Sequence, residues 1–323
     1  MKKRIIILGA VVLLVIVLWS GAWIFLSGLV KTNIDALADA DGVTQPRVTC
    51  ETLHIGGFPF RFDAECVNAR IVSGDLSVSV PDIRASVRVY APTHALASAT
   101  GPVQVVDAFT GMRNTLAWSD LEASLRLDNW RIARLSVSAK DVVWSDTVLG
   151  ETIIAQTPQA ELHLMDIPEQ HDAERHLAAL AGYLRASEVS YPSMTLTDTN
   201  AEVQLELSGL PDDVRNWGEP TMLQAMQQAG GALKIVSIHG TDGASTLDAS
   251  GNLTLDPQGM LDGEIAIKST GVAERIGPLL QEPWRTLVLG TPAPDGSYAN
   301  QLAFRAGAIF SGLVPIASLA PLF

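Results

Sequence analysis

This chain lacks most of the residue patterns from which common active sites and metal centres are built. Only two cysteines occur in 323 residues, at positions 50 and 66, which excludes a multi-cysteine zinc or iron–sulfur framework. No Gly-Lys dipeptide occurs, so a phosphate loop ending in G-K-[ST] is absent, as are G-x-S-x-G and H-E-x-x-H. Basic residues are scarce: 22 Lys and Arg stand against 35 Asp and Glu, a net charge of −13. Setting aside Lys2, Lys3 and Arg4 leaves 19 against 35, or −16, a balance unsuited to nucleic acid, and no basic patch stands out after Lys31. His54, His94, His163 and His239 are isolated in the sequence. His171 and His176 share an ionisable stretch, but on a helix their spacing sets the imidazoles ~140° apart, so the stretch reads as a solvated helix start. With no matched nucleophile and base, the residues point to a protein that is not an enzyme and needs no cofactor or metal.

Charge is also missing from one long segment. From Ile5 to Val30 no side chain is charged, and at ~1.5 Å per helical residue this run exceeds a ~30 Å hydrocarbon core. Lys2-Lys3-Arg4 precedes it and Asp35, Asp39 and Asp41 follow the lone Lys31. That bias places the N-terminus in the cytoplasm and the body outside. A cleaved signal would end at Ser20-Gly21-Ala22, but Trp23 to Leu26 resume the apolar run directly beyond it, which favours an uncleaved single-pass anchor. The expected organisation is an anchor over 1–30 and one β-rich domain over 31–323, with halves at 45–168 and 188–323.

Cys50 and Cys66 flank Gly56-Gly57-Phe58-Pro59-Phe60, which reads as a reversal. Folding back about Phe58 sets position 50 opposite position 66, so a disulfide is the natural reading in an oxidising compartment; two free thiols or a metal pair are the alternatives. Leu53 and Ile55 fall on the face opposite Cys50, which demands a register break near Gly56.

Elsewhere period-two alternation dominates. It runs through Leu76, Val78 and Val80, shifts by one residue after Pro81 into Ile83, Ala85, Val87 and Val89, and recurs to Ile267. The shift marks a bulge or a broken strand. Asp256-Pro257-Gln258-Gly259 reads as a turn that sets Leu255 opposite Leu261. Helices are expected at Ala173–Arg185, with Asp172 as N-cap, at Thr221–Ala229 and at Val272–Leu280; Ala306–Phe323 reads as a final strand and an apolar tail. The fold class is therefore β-rich α+β: an N-terminal transmembrane helix, then a long, curved, mostly antiparallel sheet with a few short helices. Three modest helices do not cover the apolar face of so many strands. The sheet must curl onto itself, stack in two layers or leave part of that face open, and Leu253 and Ile265 mark the test positions.

The anchor, the Cys50…Gly57-Phe58-Pro59-Phe60…Cys66 block and Tyr90-Ala91-Pro92-Thr93-His94…Gly101-Pro102 resemble domain of unknown function family 2125 (DUF2125) over most of the chain. The resemblance implies an inner-membrane-anchored envelope protein of alphaproteobacteria and supplies no catalytic residue. Asn252 to Gly263 and Gly307 through Pro321 are similar in rhythm to the C-terminal region of AsmA-like proteins. That second likeness implies a curved sheet with a lipid-lined groove. Binding or sheltering phospholipid acyl chains in envelope maintenance is the expected function, and a scaffold or assembly factor for other envelope proteins is the alternative.

Overall fold

The computed structural model describes residues 2–43, 45–217, 221–276 and 282–323. Its first element, α1 (Lys2–Ala38), is one continuous 37-residue helix. It is long and apolar enough to cross a membrane, and none of its most apolar window is buried against the protein. Beyond it the protein is antiparallel sheet: strands make up 57% and helices 20%, so the helices can cover only part of the strands' apolar faces.

By its internal contacts the chain divides into two compact units, Met1–Glu122 with Ser145–Thr152, and Ala123–Trp144 with Ile153–Phe323. The first unit holds α1 and β1 (Arg47–Thr49), β2 (Thr52–Gly56), β3 (Arg61–Ser73), β4 (Leu76–Arg88), β5 (Ala91–Thr100), β6 (Val103–Asp107) and β7 (Arg113–Ala117). Strand β4 pairs with β3 along its length on one side. On the other it pairs with β6 over Leu76–Ser79 and with β5 over Asp82–Arg88. The shift of apolar parity at Pro81 is therefore not a broken strand. The β3 residue opposite it, Asn68, has a left-handed φ of 50°, and Val67↔Asp82 and Ala69↔Val80 hold one register on either side. Both strands thus exchange faces at the same rung. The extra residue appears next door: four β4 residues, from Asp82 to Ser79, face five, from Thr100 to Gln104, so the bulge lies at Gly101-Pro102.

Above that rung Ala69, Val80 and Val103 are sealed, with Cys66, Ile83, Ala99 and Trp118 packed on them. Toward the other end of β3 and β4, successive rungs Cys66↔Ile83, Ala64↔Ala85 and Phe62↔Val87 continue the apolar face, with Ala99, Ala97 and Ala95 beside them on β5. All nine of these side chains are half-buried.

Strands β8 (Asp120–Asp128), β9 (Arg131–Asp146) and β10 (Thr152–Asp166) follow. In the second unit β11 (Leu177–Tyr191), β12 (Leu196–Pro211), β13 (Ala232–Asp242), β14 (Ser245–Leu255), β15 (Leu261–Thr270) and β17 (Ser297–Arg305) form an antiparallel succession, with the short β16 (Thr291–Pro292) on β17. Leu180, Leu207, Leu233 and Leu253 share one rung across four strands, and Leu180 and Leu253 are buried. The helix α2 (Met222–Gln228) closes this end: Met226 packs with Ile132, Leu180 and Leu210, and Trp217 lies against the same cluster. Two rungs away, Leu184, Val203, Ile238 and Ala249 form a parallel row in which Leu184 is 43% exposed. Leu253 lies in the sealed row, whereas Ile265, opposite Gly251, is half-buried in the next.

A buried ion pair pins the other end of this unit. In α3 (Val272–Ile276), Arg275 donates from Nη1 and Nη2 to the two carboxylate oxygens of Asp242 at 2.9 and 3.2 Å. Burial alone pushes the Asp242 carboxyl up. Donation from Thr199, Thr197 and Arg275 outweighs this and holds it below its ordinary value.

Several expectations need correction. Ala173–Arg185 is not a helix; Leu177–Tyr191 is a strand between β10 and β12. Leu180, Gly182 and Leu184 satisfy a period of two as well as Leu177, Leu180 and Leu184 satisfy a helical one. Pairing on both edges decides between them, and a Cβ on Gly182 would meet Leu205 at 2.8 Å. Asp172 takes the chemistry of a cap without a helix, accepting from the backbone N–H of Glu174 and Arg175. The helix expected from Val272 is seen to Ile276, and residues 277–280 lie outside the described residues. A helix that the alternation did not announce, α4 (Trp284–Leu289), lies on β17, where Asn300 donates to the carbonyls of Leu287 and Val288. The ending forms two strands, β18 (Ala308–Ser311) and β19 (Val314–Ser318). Its tail returns to the Asp256–Gly259 turn, where Leu322 donates to the Gly259 carbonyl. That turn sets Leu255 opposite Leu261 as expected, with Gly259 at a φ of 78°.

Candidate functional site at the foot of the anchor helix

The β2–β3 reversal and the β4–β5 turn lie side by side, because β3 and β4 are paired to their ends, Arg61 opposite Arg88. The first carries Phe58, Pro59 and Phe60, the second Val89 and Tyr90. Phe58, Phe60 and Tyr90 are 54%, 61% and 73% exposed. Against them stands α1. Trp19 and Trp23 are four residues apart and so share one helix face. The Trp19 indole N–H donates to the Pro59 carbonyl at 3.0 Å, and that of Trp23 to the Arg61 carbonyl at 3.0 Å. The Trp23 ring stacks on Phe62 at 5.7 Å and meets Phe58 edge-on at 5.5 Å. Between helix and turns is an apolar recess of about 660 Å³, walled by Val15, Ile16 and Trp19 on one side and by Phe58, Phe60 and Tyr90 on the other.

Four carbonyls of the reversal accept hydrogen bonds. Gly57 accepts from Arg61 N–H and Phe60 accepts from Val89 N–H, while Pro59 and Arg61 accept from the two indoles. Pro59 has no N–H to satisfy. Gly57 has a φ of 95°, and a Cβ there would lie 2.8 Å from the Arg61 carbonyl oxygen, so glycine is required.

The sequence-singled residues fall into two groups. Gly57, Phe58, Pro59, Phe60 and Tyr90 meet at this recess. Pro92 and His94 lie just beyond it, where β5 breaks register between Ala95 and Ala91. Gly101 and Pro102 are not part of it. They form the bulge higher in the unit, where the Trp118 ring lies 3.3 Å from the position a Gly101 Cβ would take and its N–H donates to the Ala99 carbonyl at 2.7 Å. Cys50 and Cys66 are bonded, with Cα atoms 5.3 Å apart. The reversal is not centred on Phe58, however. Leu53 faces Cys66 and Ile55 faces Ala64, which centres it between Pro59 and Phe60, and there is no register break near Gly56: β1 and β2 pair with β3 in one register (Thr49↔Arg70, Thr52↔Val67), the strand being interrupted only at Cys50-Glu51. Sequence reasoning missed Trp19 as a site residue and used Trp23 only to extend the apolar run; the signal was the i, i+4 pair of indoles inside that run.

The histidine stretch behaves differently from a helix start. His171 Nε2 lies 3.3 Å and His176 Nδ1 3.6 Å from the same Asp212 oxygen, and Arg131 donates to His171 Nδ1 at 2.8 Å while pairing with Asp166. This network ties β9, β10 and the end of β12 together. Among the described residues no group of three or more His, Cys, Asp or Glu is placed to hold a metal.

A family model described as an uncharacterized protein conserved in bacteria (DUF2125) matches residues 23–320. No curated protein and no solved structure matches the chain, AsmA-like proteins included.

Proposed function

Because the chain belongs to the DUF2125 family, whose description names no reaction, we propose its function from geometry: a membrane-anchored, non-enzymatic protein that takes phospholipid acyl chains from the bilayer onto the apolar face of β3–β5. The observation that carries this reading is the continuity of two surfaces. The recess lies against the middle of the charge-free run of α1, and its lining residues Phe60 and Val89 stand two residues along their strands from the half-buried rung Phe62↔Val87, which Ala64↔Ala85 and Cys66↔Ile83 continue. From Phe60 to Cys66 the strand covers about 20 Å, more than one leaflet's half of a ~30 Å core. The alanines along it leave depth that larger side chains would fill. Lys2, Lys3 and Arg4 favour a cytoplasmic N-terminus and a periplasmic body, in keeping with an envelope role at the inner membrane.

The test uses full-length protein in liposomes containing a phospholipid with a photoactivatable diazirine near the end of one acyl chain. Label is expected on β3–β5 peptides at Ala85, Val87 or Ala97 as well as on α1. Label confined to α1 would overturn the reading. A reporter fused after Phe323 that is active only outside the cytoplasm checks the orientation.

A second reading, a scaffold for another envelope protein, draws on a different feature of the same unit. Phe109 and Leu149, on the β6–β7 and β9–β10 loops, are 86% and 100% exposed, and the loops are joined where Thr147 donates to the Arg113 carbonyl. Exposed apolar tips of this kind suit a protein partner.

A further inference from the structure

The anchor helix fixes a depth for everything bonded to it. If Lys2–Arg4 rest at one membrane surface, a ~30 Å core consumes about 20 helical residues from Ile5 and ends near Ile24. Trp19 is five residues short of that point, about 7 Å inside the hydrocarbon. Pro59 is hydrogen-bonded to Trp19, and Phe60 and Tyr90 share the recess that Val15 and Ile16 line. The aromatic turns must then lie within the leaflet remote from the basic N-terminus.

Two independent features fit that position. Non-helical backbone at membrane depth is tolerated only where protein satisfies it. Here the carbonyls of Gly57, Pro59, Phe60 and Arg61 all have donors, two of them supplied by the spanning helix itself. The second feature is charge. One residue beyond the aromatic turns, Arg61 and Arg88 are cross-strand partners on the polar face of the sheet, an arrangement of like charges that is unfavourable by itself. Further along that face the charges are balanced: Arg61 pairs with Asp63 at 3.2 Å, and Arg84 with both Glu65 and Asp82 at 2.8 Å. Arg88 is exposed and has no carboxylate partner among the described residues. An uncompensated guanidinium thus sits at the level of the headgroups in an otherwise acidic body. Guanidinium geometry suits a phosphate diester oxygen pair.

We propose that the Phe58–Phe60 and Val89–Tyr90 turns are seated in the distal leaflet as a wedge, with Arg88, assisted by Arg61, holding on the polar face of the sheet the phosphate of a phospholipid whose acyl chain runs deeper, past the exposed Phe60 and Tyr90 at the tip of the wedge, toward the α1 recess. This rests on the acyl-chain reading above and adds the headgroup chemistry: a phosphate, not merely a hydrocarbon tail. A wedge that leaves Phe60 among acyl chains and Arg88 among phosphates also explains why the aromatic residues are left exposed in the protein.

The experiment places benzoylphenylalanine at Phe60, and separately at Leu149, in full-length protein reconstituted into nanodiscs. The bilayer is phosphatidylcholine and phosphatidylglycerol at seven to three, with trace diacylglycerol as a tail-matched lipid lacking phosphate. Irradiation is expected to give phospholipid adducts at position 60 and none at 149, with phospholipid favoured over diacylglycerol beyond its abundance. Arg88→Gln should lower that preference by about threefold or more while Arg88→Lys largely keeps it, and diacylglycerol adducts should be unchanged in both. Absence of lipid adducts at position 60 would overturn the wedge. Adducts at position 60 with no change of preference in Arg88→Gln would overturn the phosphate contact and leave the acyl-chain reading standing. An equal effect of added inorganic phosphate on phospholipid and diacylglycerol adducts would also count against a headgroup site. The acyl-chain reading itself fails separately, by loss of diazirine label on β3–β5.

Discussion

The two units share one sequence pattern and treat its apolar side in opposite ways. In the second unit the row of Leu180, Leu207, Leu233 and Leu253 is built of branched side chains, and Met226 of α2 packs in one cluster with Leu180, Leu207 and Leu210. In the first, the rows nearest the reversal are mostly alanine and half-buried, and the cover at their end is the anchor helix, through Trp19 and Trp23. Alternation therefore tells which side of a strand is apolar. The size of the side chains tells whether that side is meant to be filled from within the protein.

The comparison breaks most sharply at matched charge insertions. Leu210→Asp, at a site 1% exposed in the second unit, should destabilise that unit by several kcal/mol. Ala97→Asp in the first unit should cost far less stability while abolishing acyl-chain labelling. Hydrogen exchange resolved by peptide reads both. Equal losses in the two units would show that the β3–β5 face is core after all.

Next in size is the disulfide. Replacing Cys50 and Cys66 by Ser should cost ~3 kcal/mol on the chain-entropy argument for a loop of this length, read as faster exchange in β1–β3 and none in β11–β15. Exchange that rises equally in both would mean the bond stabilises more than its own unit.

A smaller effect separates the units by pH. The Asp242 carboxyl is held below its ordinary value in the folded state, so its contribution is complete above the unfolded value near pH ~4 and is lost as pH falls through the folded one. Arg275→Met should destabilise the second unit by ~2 kcal/mol at neutral pH, because it leaves the buried carboxylate without its guanidinium, and the penalty should shrink in acid. A penalty independent of pH would assign the loss to packing instead. The smallest effect is Trp19→Phe, which removes one hydrogen bond to Pro59 and should cost ~1 kcal/mol, seen as faster exchange at the β2–β3 reversal alone.

Much of this architecture was legible before any coordinates. The long apolar N-terminal helix, the strand-rich body, the Asp256–Gly259 hairpin and the Cys50–Cys66 bond all follow from local patterns. What was hidden depends on neighbours. Leu177–Tyr191 carries both a helical and a strand period, and only the partners β10 and β12 choose between them. The parity change at Pro81 is visible in β4, but its compensation lies in Asn68 and Gly101-Pro102, on other strands. The candidate site was half visible. The aromatic turn stood out, while its second wall is a pair of indoles that the apolar run of α1 absorbed without trace.

The unbroken course of α1 from Lys2 to Ala38 has one more consequence. If the reversal is seated in the bilayer as proposed, then, because it hangs from Trp19 and Trp23 on a rod without a hinge, its immersion would be set by the thickness of the bilayer and the tilt of the rod, not by the sheet. A membrane several Å thinner would lift Phe60 and Tyr90 into the headgroups; a thicker one would drown Arg88, at a cost that grows with each Å of mismatch. On this view the helix is a ruler as much as a tether, and it matches the protein to membranes of one gauge.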